Sequence, residues 1–299
     1  TLITNVSPAS TVVAEEIFGP VLVAMSFRTH DEAVQLANNT RYGLAATLWT
    51  ENVNLALDIA PRLKAGVVWI NGTNNFDAAV GFGGYKESGF GREGGREGMA
   101  SYLKPAWEKQ LKPASEVLKP GKVPAKAASP LELPERIDRT AKMYIGGKQA
   151  RPDSGYSMPV TGPGGGVVGE VGEGNRKDIR NAVEAARAAL PGWAGAHAHL
   201  RAQILFYLAE NLDYRRAEFA ERLREQTGDS RAAADKEVAA AVERLFAFGG
   251  WTDKYDGAVH NPPPRAVAVA MVEPLGAMGI IAPPSRPLLG AIALLAPAI

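Results

Sequence analysis

Cysteine is absent from the 299 residues of the sequence. Its absence excludes disulfides, thiolate metal sites and thiol nucleophiles from these residues. An apolar run of the roughly 20 residues that a bilayer-spanning helix needs is also missing. The nearest candidate, residues 278–299, is interrupted by prolines and by Arg286. A charge excess of one sign is lacking as well, and a net charge of +1 gives no electrostatic reason to expect nucleic acid or a membrane surface as partner.

What is present is ordinary for a soluble globular protein. Hydrophobic residues make up 46% and charged residues 22% of the chain. The length predicts about two domains, each large enough to bury a core.

Strand and helix patterns alternate in the first part of the chain. Strands are predicted over residues 21–27, 44–49 and 66–70, and helices over residues 29–38 and 52–63. Thr29 and Glu32 have the spacing of a capping box at the start of the first helix. The alternation predicts an α/β fold with a parallel sheet covered on both faces.

Composition changes twice beyond this region. Residues 72–98 are rich in glycine and predict a long loop. Residues 102–111 alternate weakly, and Pro105 restricts them to an edge strand. Residues 112–142 combine proline, alanine and lysine, as in a semi-rigid linker, and mark the clear domain boundary.

The last part of the chain predicts a hairpin followed by helices. Residues 143–148 read as a hairpin with a Gly-Gly turn, and Asn175 as the N-cap of a helix. Further helices are predicted over 201–212, 215–227 (ended by Gly228), 236–248 and from 288 onward, and strands over 167–168, 267–272 and 277–281.

Residues 15–20 carry the strongest chemical signal. Glu15 and Glu16 form an acidic pair, Phe18 follows, and a Gly-Pro turn leads into an apolar run. A carboxylate at such a position can accept two hydrogen bonds from a sugar diol, and a neighbouring ring can cover a flat heterocycle. The alternative, a charged turn before a strand, carries about equal weight on these six residues alone.

Two later strings change that balance, namely residues 66–71 (GVVWIN) and 81–93 (GFGGYKESGFGRE). Together with residues 15–20, in this order and spacing, they resemble the aldehyde dehydrogenase superfamily. The resemblance implies parallel, doubly covered sheets, a Rossmann-like cofactor domain and a β oligomerisation flap. Residues 1–82 then correspond to the C-terminal part of a catalytic domain, and residues 83–111 to a bridging strand region.

Residues 143–299 resemble the beginning of the same family rather than its end. The matching strings are residues 144–147, 182–189, 250–255 and 273–276. The C-terminal segment of the family pattern therefore precedes the N-terminal segment in this chain. This order fits either a circular permutation or the junction of two tandem copies. A permuted enzyme would still contain the catalytic middle, so we expect a tandem protein cut at both ends, with residues 112–142 joining the copies.

The resemblance implies NAD or NADP as cofactor, a small aldehyde as substrate, and a catalytic Cys outside this segment. Glu16 is expected to hold the nicotinamide-side ribose and Phe18 to pack beside it. Asn71, Phe76 and Phe82 are expected to line the substrate tunnel, with core packing as the alternative for both rings. We further expect a cytoplasmic protein that forms homo-oligomers, with a dimer favoured, and that involves neither metal, nucleic acid nor membrane.

The second copy departs from the family pattern at residues 283–287 (PPSRP). The family has Pro-Trp-Asn-Phe-Pro there, and its Asn donates to the oxyanion. Ser285 stands at the Asn position, and loss of one such donor typically costs roughly 10²–10³ in kcat. The second copy is therefore expected to be inactive, and the alternative function for the whole is a non-catalytic scaffold.

Three further patterns are expected to carry no chemistry. Residues 164–169 satisfy G-x-G-x-x-G but open a strand rather than a helix, so we reject a dinucleotide site there. The glycines of residues 83–95 are interpreted as structural. His197 and His199 are interpreted as exposed surface rather than metal ligands.

Overall fold

The computed structural model describes residues 1–104, 140–263 and 266–299. The chain divides into two compact units. Among the described residues, the first unit contains 1–104 and most of the segment 257–270, and the second contains 140–256 and 271–299. Each unit is described separately. Most of the predicted edge strand (102–111) and of the linker (112–142) lies outside the described residues, and residues 102–104 form no strand.

The first unit consists of short strands and helices. Along residues 1–104 they are β1 (Leu2–Ile3), α1 (Thr11–Ala14), β2 (Leu22–Val23), α2 (His30–Asn38), β3 (Tyr42–Gly43), β4 (Ala45–Leu48), α3 (Val53–Ile59), a 3₁₀ turn (Ala60–Arg62), β5 (Val67–Ile70), β6 (Phe82–Gly83), β7 (Tyr85–Lys86), β8 (Arg92–Glu93) and α4 (Gly95–Ala100).

The core of the first unit lies where α2 and α3 pack on the pair β4–β5. Val34, Ile59 and Leu63 are buried there and contact apolar side chains of the two strands. Strands β4 and β5 pair in parallel, as do β1 and β2. The expected alternation of strands and helices is therefore confirmed, but in the described part of the chain each sheet has two strands.

The capping box expected at α2 is half formed. The Thr29 hydroxyl accepts from the Glu32 N–H at 3.1 Å, whereas the Glu32 carboxylate accepts from the N–H of Arg28 at 2.7 Å instead of that of Thr29. That backbone bond and the Arg28 guanidinium lower the pKa of Glu32. At α3, Asn52 accepts from the N–H groups of Asn54 and Leu55.

The glycine-rich stretch is not the irregular loop that its composition predicts. Strand β7 pairs antiparallel with β3, and β6 pairs antiparallel with β8. Helix α4 follows directly. The pattern gave no sign of these elements because two-residue strands have no periodicity to detect.

The described part of residues 140–299 contains hairpins and five helices. In order they are β9 (Met143–Ile145), β10 (Lys148–Ala150), β11 (Ser157–Thr161), β12 (Val167–Gly172), α5 (Arg176–Ala194), α6 (Ala198–Tyr214), α7 (Arg216–Thr227), α8 (Arg231–Trp251), β13 (Ala258–His260), β14 (Ala268–Ala270) and α9 (Pro287–Ala298). The hairpin β13–β14 belongs to the first unit and the other elements to the second.

Local signals in the second unit are confirmed. The β9–β10 hairpin turns at Gly146 and Gly147, both with positive φ (61° and 75°), as a type I′ turn requires. Asn175 and Asp178 form a capping box at α5. Gly228 ends α7 in the left-handed conformation, with φ 76°.

Helix α8 is the centre of the second unit and packs against α6, α7 and α9. Leu205 of α6 and Val238 and Leu245 of α8 are fully buried. Helix α5 lies apart from this core, and its apolar side chains Ile179 and Val183 are exposed.

The strand predicted over residues 277–281 is wrong. These residues are irregular, and Ile281 is 85% exposed. A strand needs a hydrogen-bonding neighbour, and none of the described strands pairs with this segment. No helix among the described residues is long and apolar enough to cross a membrane.

A buried carboxylate holds the start of α9. Glu237 of α8 is only 3% exposed, and its Oε1 accepts from the backbone N–H groups of Leu288 and Leu289 at 3.1 Å each. Pro287 occupies the first helical position, where no N–H is needed. Glu237 therefore caps α9 from a neighbouring helix and fixes it to the core.

We expect Glu237→Ala to destabilise the second unit by about 1–3 kcal/mol, since two buried backbone donors lose their acceptor. Glu237→Gln keeps an amide oxygen and should cost less. The measurement is urea unfolding followed by circular dichroism. Glu243→Ala, on an exposed position of the same helix, is the matched control. Equal midpoints for Glu237→Ala and Glu243→Ala would contradict the capping role.

Candidate functional site

The loop of residues 15–20 separates the two members of its acidic pair. Helix α1 ends at Ala14, and Glu15 is its C-cap, with an extended backbone (φ −104°, ψ 147°). The Glu15 carboxylate is ion-paired to Arg41 at 2.7 Å. Glu16 is exposed, and its side chain makes no hydrogen bond or ion pair with the described residues. The pair thus consists of one engaged and one available carboxylate.

Phe18 lies in the same loop with an unusual backbone. Its φ is 51°, and its side chain is 93% exposed. A bulky residue in the left-handed region is an outlier, and such residues concentrate at functional sites. Phe18 does not act as a core residue, because its ring is not packed against other side chains and its backbone keeps a strained conformation. It has the form of a ring that is presented to a ligand.

Arg41 connects this loop to the glycine-rich stretch. Its guanidinium pairs with Glu15 and, through Nε, with Glu87 at 3.2 Å. It also donates to the Tyr42 hydroxyl at 3.0 and 3.1 Å. The Tyr42 hydroxyl, followed by the carboxylates of Glu15 and Glu87, raises the pKa of Arg41.

Three aromatic rings form a cluster beside the end of β5. Phe76 packs edge-on against Trp69 and against Phe82, with ring centroids 5.4 and 5.0 Å apart. The Trp69 indole N–H donates to the Asn75 carbonyl at 3.1 Å, which fixes the loop that carries Phe76. Phe76 remains 57% exposed, so the cluster presents an apolar wall on the surface of the unit.

Asn71 uses its side chain within the fold. The amide Nδ2 donates to the Thr50 carbonyl at 2.7 Å, and Oδ1 accepts from the Thr50 N–H at 2.8 Å. Its φ of 54° turns the chain sharply after β5. Asn71 therefore joins the ends of β4 and β5 and directs the following residues toward the aromatic cluster.

The glycine-rich stretch is held by close backbone packing. A Cβ on Gly66 would lie 1.8 Å from the Gly83 carbonyl oxygen, and one on Gly83 would lie 2.0 Å from that of Gly91. Arg92 donates through Nη1 to the carbonyls of Gly84 and Gly91, each at 2.9 Å. The carbonyls of this stretch thus face a side chain of the same chain, as in a structural turn rather than a phosphate cradle.

Lys86 connects this stretch to the carboxyl-terminal end of α2. Its φ is 54°, and its ammonium donates to the carbonyls of Asn38 and Thr40 at 2.9 Å each. A cation at the last carbonyls of a helix is favourable because the helix dipole is negative there. The start of the glycine-rich stretch is therefore tied to α2.

The first unit also contains a cavity of about 230 Å³ next to α2, β3 and β4. Asn38, Thr40, Tyr42 and Lys64 are its polar lining residues. Glu16, Phe18 and the aromatic cluster do not line it. The sequence-predicted residues therefore lie on open surface and not in this cavity.

In the second unit, Ser285 lies in an exposed turn. Arg286, at the next position, has φ 52° and precedes Pro287 at the start of α9. Glu237 holds the end of this turn, because its carboxylate caps α9. A cavity of about 360 Å³ lies between α7 and the start of α9, lined on one side by Arg215, Glu218 and Arg222.

The glycines of residues 164–169 lead into a strand, as predicted. Residues 167–172 form β12, which pairs antiparallel with β11. His197 and His199 are exposed. In the described part of the chain, no three His, Asp or Glu side chains converge as a metal site would require.

The profile of the aldehyde dehydrogenase family matches residues 1–107 and 150–299. This chain belongs to the aldehyde dehydrogenase family. The Bacillus subtilis protein DhaS is 53% identical over 109 residues, which are 36% of this chain and 22% of DhaS. Aldehyde dehydrogenase NAD(P)+ 1 of Saccharomyces cerevisiae is 48% identical over 103 residues, 34% of this chain and 20% of the yeast protein.

Solved aldehyde dehydrogenases match a similar share of the chain. The NAD+ complex of aldehyde dehydrogenase from Bacillus cereus is 48% identical, covers 34% of this chain and 21% of that protein, and has a TM-score of 0.34. Betaine aldehyde dehydrogenase from Staphylococcus aureus, also solved with NAD+, is 45% identical with the same TM-score. The chain thus spans about a fifth of the length of the curated relatives that it matches.

Sequence reasoning missed Arg41, Trp69 and Lys86. Trp69 lies in a motif string that the sequence analysis quoted, so its aromatic side chain near Phe76 was a usable signal. Lys86 also lies in a motif string, residues 81–93, but its partner Asn38 is far away along the chain, as Glu15 is from Arg41, so neither contact could be predicted.

We expect Gly83→Ala to destabilise the first unit by about 1–3 kcal/mol, since the new methyl group meets a backbone carbonyl that cannot move freely. Gly91→Ala is the matched control in the same stretch, because no atom lies within 4 Å of the position that its methyl group would take. Urea unfolding of both variants measures the difference. Equal losses in the two variants would contradict the backbone-packing account.

Proposed function

We propose that this chain is part of an enzyme that oxidises an aldehyde to a carboxylic acid with NAD or NADP. The observation that carries the proposal is the division of the acidic pair, because Glu16 stays available while Glu15 is engaged. Family membership and relatives whose names include NAD(P)+ or NAD+ support it.

The residues of loop 15–20 fit a nicotinamide nucleotide. An unpaired, exposed carboxylate at Glu16 can accept both hydroxyl protons of a ribose. The exposed ring of Phe18 offers an apolar face for the adjoining sugar and heterocycle. The cofactor, when bound, supplies the hydride acceptor, and Glu16 and Phe18 would orient it.

The aromatic cluster is proposed as the wall of the aldehyde site. Phe76 and Phe82 would contact the substituent of the substrate, while Trp69 holds the loop. Asn71 contributes through the shape of the turn, since its amide group is already bonded to Thr50. Apolar packing at such a wall favours aldehydes with an apolar substituent.

We propose further that the parent protein contains two tandem copies, with the catalytic Cys of the first copy outside this segment. The order of the family strings supports this, with the tail before residue 112 and the head after residue 142. Mass spectrometry of the intact native protein tests it. A mass well above 31.7 kDa is expected, and a native chain of only that mass would contradict the tandem.

The second copy is proposed to be inactive. Ser285 has a shorter side chain than the Asn of the family pattern, and the neighbouring Arg286 replaces an aromatic residue. A fall of more than tenfold in the kcat of the intact protein on Ser285→Ala would contradict this proposal.

A homo-oligomer, with a dimer favoured, is proposed from the family resemblance. In a tandem protein, the glycine-rich hairpin β9–β10 of the second copy is the alternative partner for the bridging strand within one chain. Light scattering of the intact protein separates a monomer from a dimer.

A non-catalytic scaffold is the rival function, and the residues at positions 284–286 favour it for the second copy. NAD(P)+-dependent turnover of aldehydes by the intact protein discriminates the two. Turnover favours the enzyme, whereas nucleotide binding without turnover, across a panel of aliphatic and aromatic aldehydes, favours the scaffold.

We expect Glu16→Gln to lower the turnover of the intact enzyme by about a hundredfold, because a misplaced cofactor carries a cost of that size. Its fold should be unchanged, since Glu16 is exposed. Steady-state kinetics with NAD(P)+ varied measures the effect. Glu51→Gln, another exposed carboxylate of the first unit, is the control, and unchanged kinetics for Glu16→Gln would refute the assigned role.

A further inference from the structure

Two carboxylates from distant parts of the first unit converge on one guanidinium. Glu15 lies before Arg41 in the chain and Glu87 after it, and their distances to the Arg41 side chain are 2.7 and 3.2 Å. All three side chains are about half exposed. Exposed ion pairs typically contribute little to stability. We therefore ask what these contacts do for the position of the loop that carries Glu15.

The Arg41 side chain is held in place by contacts that do not involve Glu15. The pairing of β3 with β7 brings Glu87 alongside, and the Glu87 N–H donates to the Arg41 carbonyl at 3.0 Å. The guanidinium lies over the Tyr42 ring, 5.2 Å from its centroid, and bonds the Tyr42 hydroxyl. Holding Glu15 therefore costs little additional side-chain entropy, because the planar group is already fixed.

The extended backbone at Glu15 determines what this contact does to its neighbour. Successive side chains of an extended segment point to opposite sides. Arg41 holds Glu15 on one side, and this alternation predicts that the Glu16 carboxylate points to the other side. The same contact fixes the start of the loop that carries Phe18.

We propose that Arg41 is a positioning residue for the cofactor loop, acting through Glu15 to hold Glu16 and Phe18 in the orientation that receives NAD or NADP. This inference rests on the proposed function. Arg41 itself touches neither cofactor nor substrate. Its removal should weaken cofactor binding while the chemical step, once the cofactor is bound, changes little.

The test is the dissociation constant for NAD+, measured by quenching of intrinsic fluorescence, together with steady-state kinetics, both on the intact protein with Arg41→Gln, Glu15→Gln and the double variant. The dissociation constant is expected to rise with the KM. We expect the KM for NAD(P)+ to rise about fivefold in each single variant, with kcat within twofold of the parent. Because both residues act through one contact, the double variant should be no worse than Arg41→Gln. Arg41→Lys, which keeps the charge but lacks the planar fork, should lie between Arg41→Gln and the parent.

Arg28→Gln is the matched control, since Arg28 forms an exposed ion pair with Glu32 in the same unit. Its KM for NAD(P)+ should not change. If Arg41→Gln fails to fold, Glu15→Gln carries the test alone, because it leaves the bonds of Arg41 to Tyr42 and Glu87 in place.

The outcomes separate this inference from the proposed function. If Glu16→Gln impairs turnover but Arg41→Gln and Glu15→Gln leave the KM unchanged, the positioning role is wrong and the cofactor site stands. Strictly additive effects of Arg41→Gln and Glu15→Gln also overturn it. If none of the three variants affects cofactor use, the proposed function fails as well.

Discussion

The first unit depends on a backbone contact that excludes side chains. Gly66 at the start of β5 lies against the Gly83 carbonyl, and Gly83 lies against that of Gly91. These contacts bring β7 alongside β3, where Glu87 meets Arg41. The arginine in turn holds the loop with Glu16. The positions of the candidate-site residues thus depend on close backbone packing at Gly66 and Gly83, where a side chain does not fit. The glycine-rich stretch is therefore one of the most constrained parts of the unit.

The second unit is organised differently. Its core is a cluster of helices around α8, and the decisive polar contact is the carboxylate of Glu237 at the start of α9. That contact also fixes the turn at Ser285. At the position where the family pattern has Asn, this turn carries Ser285, whose side chain is shorter and has a hydroxyl in place of an amide. An ordered turn with altered chemistry is what the proposal of an inactive second copy requires.

The sequence predicted those features whose cause lies within a few residues. Asn175, Gly228 and the Gly146–Gly147 turn act on their immediate neighbours, and each is where the pattern placed it. Features that join distant segments could not be predicted. Arg41 and Glu15 are one example, and Glu237 with Leu288 is another. The strand expected over residues 277–281 is absent for the same reason, because an apolar segment can pair as a strand but does not reveal whether a neighbouring strand is available.

The candidate site shows the same division between local and distant causes. The family resemblance pointed to Glu16, Phe18 and the two phenylalanines, but not to the state of their neighbours. Glu16 is unpaired among the described residues, and the amide of Asn71 is hydrogen-bonded to Thr50. Both facts follow from the three-dimensional arrangement and not from the local sequence.

The placement of hairpin β13–β14 has a consequence for the chain as a whole. The hairpin belongs to the first compact unit, although the residues before and after it belong to the second. The polypeptide therefore passes between the units three times, and neither unit corresponds to an uninterrupted stretch of sequence. A fragment that ends before residue 112 would contain the first unit without this hairpin, and a fragment that begins after residue 112 would contain the hairpin without the rest of that unit, so no single cut yields a complete first unit.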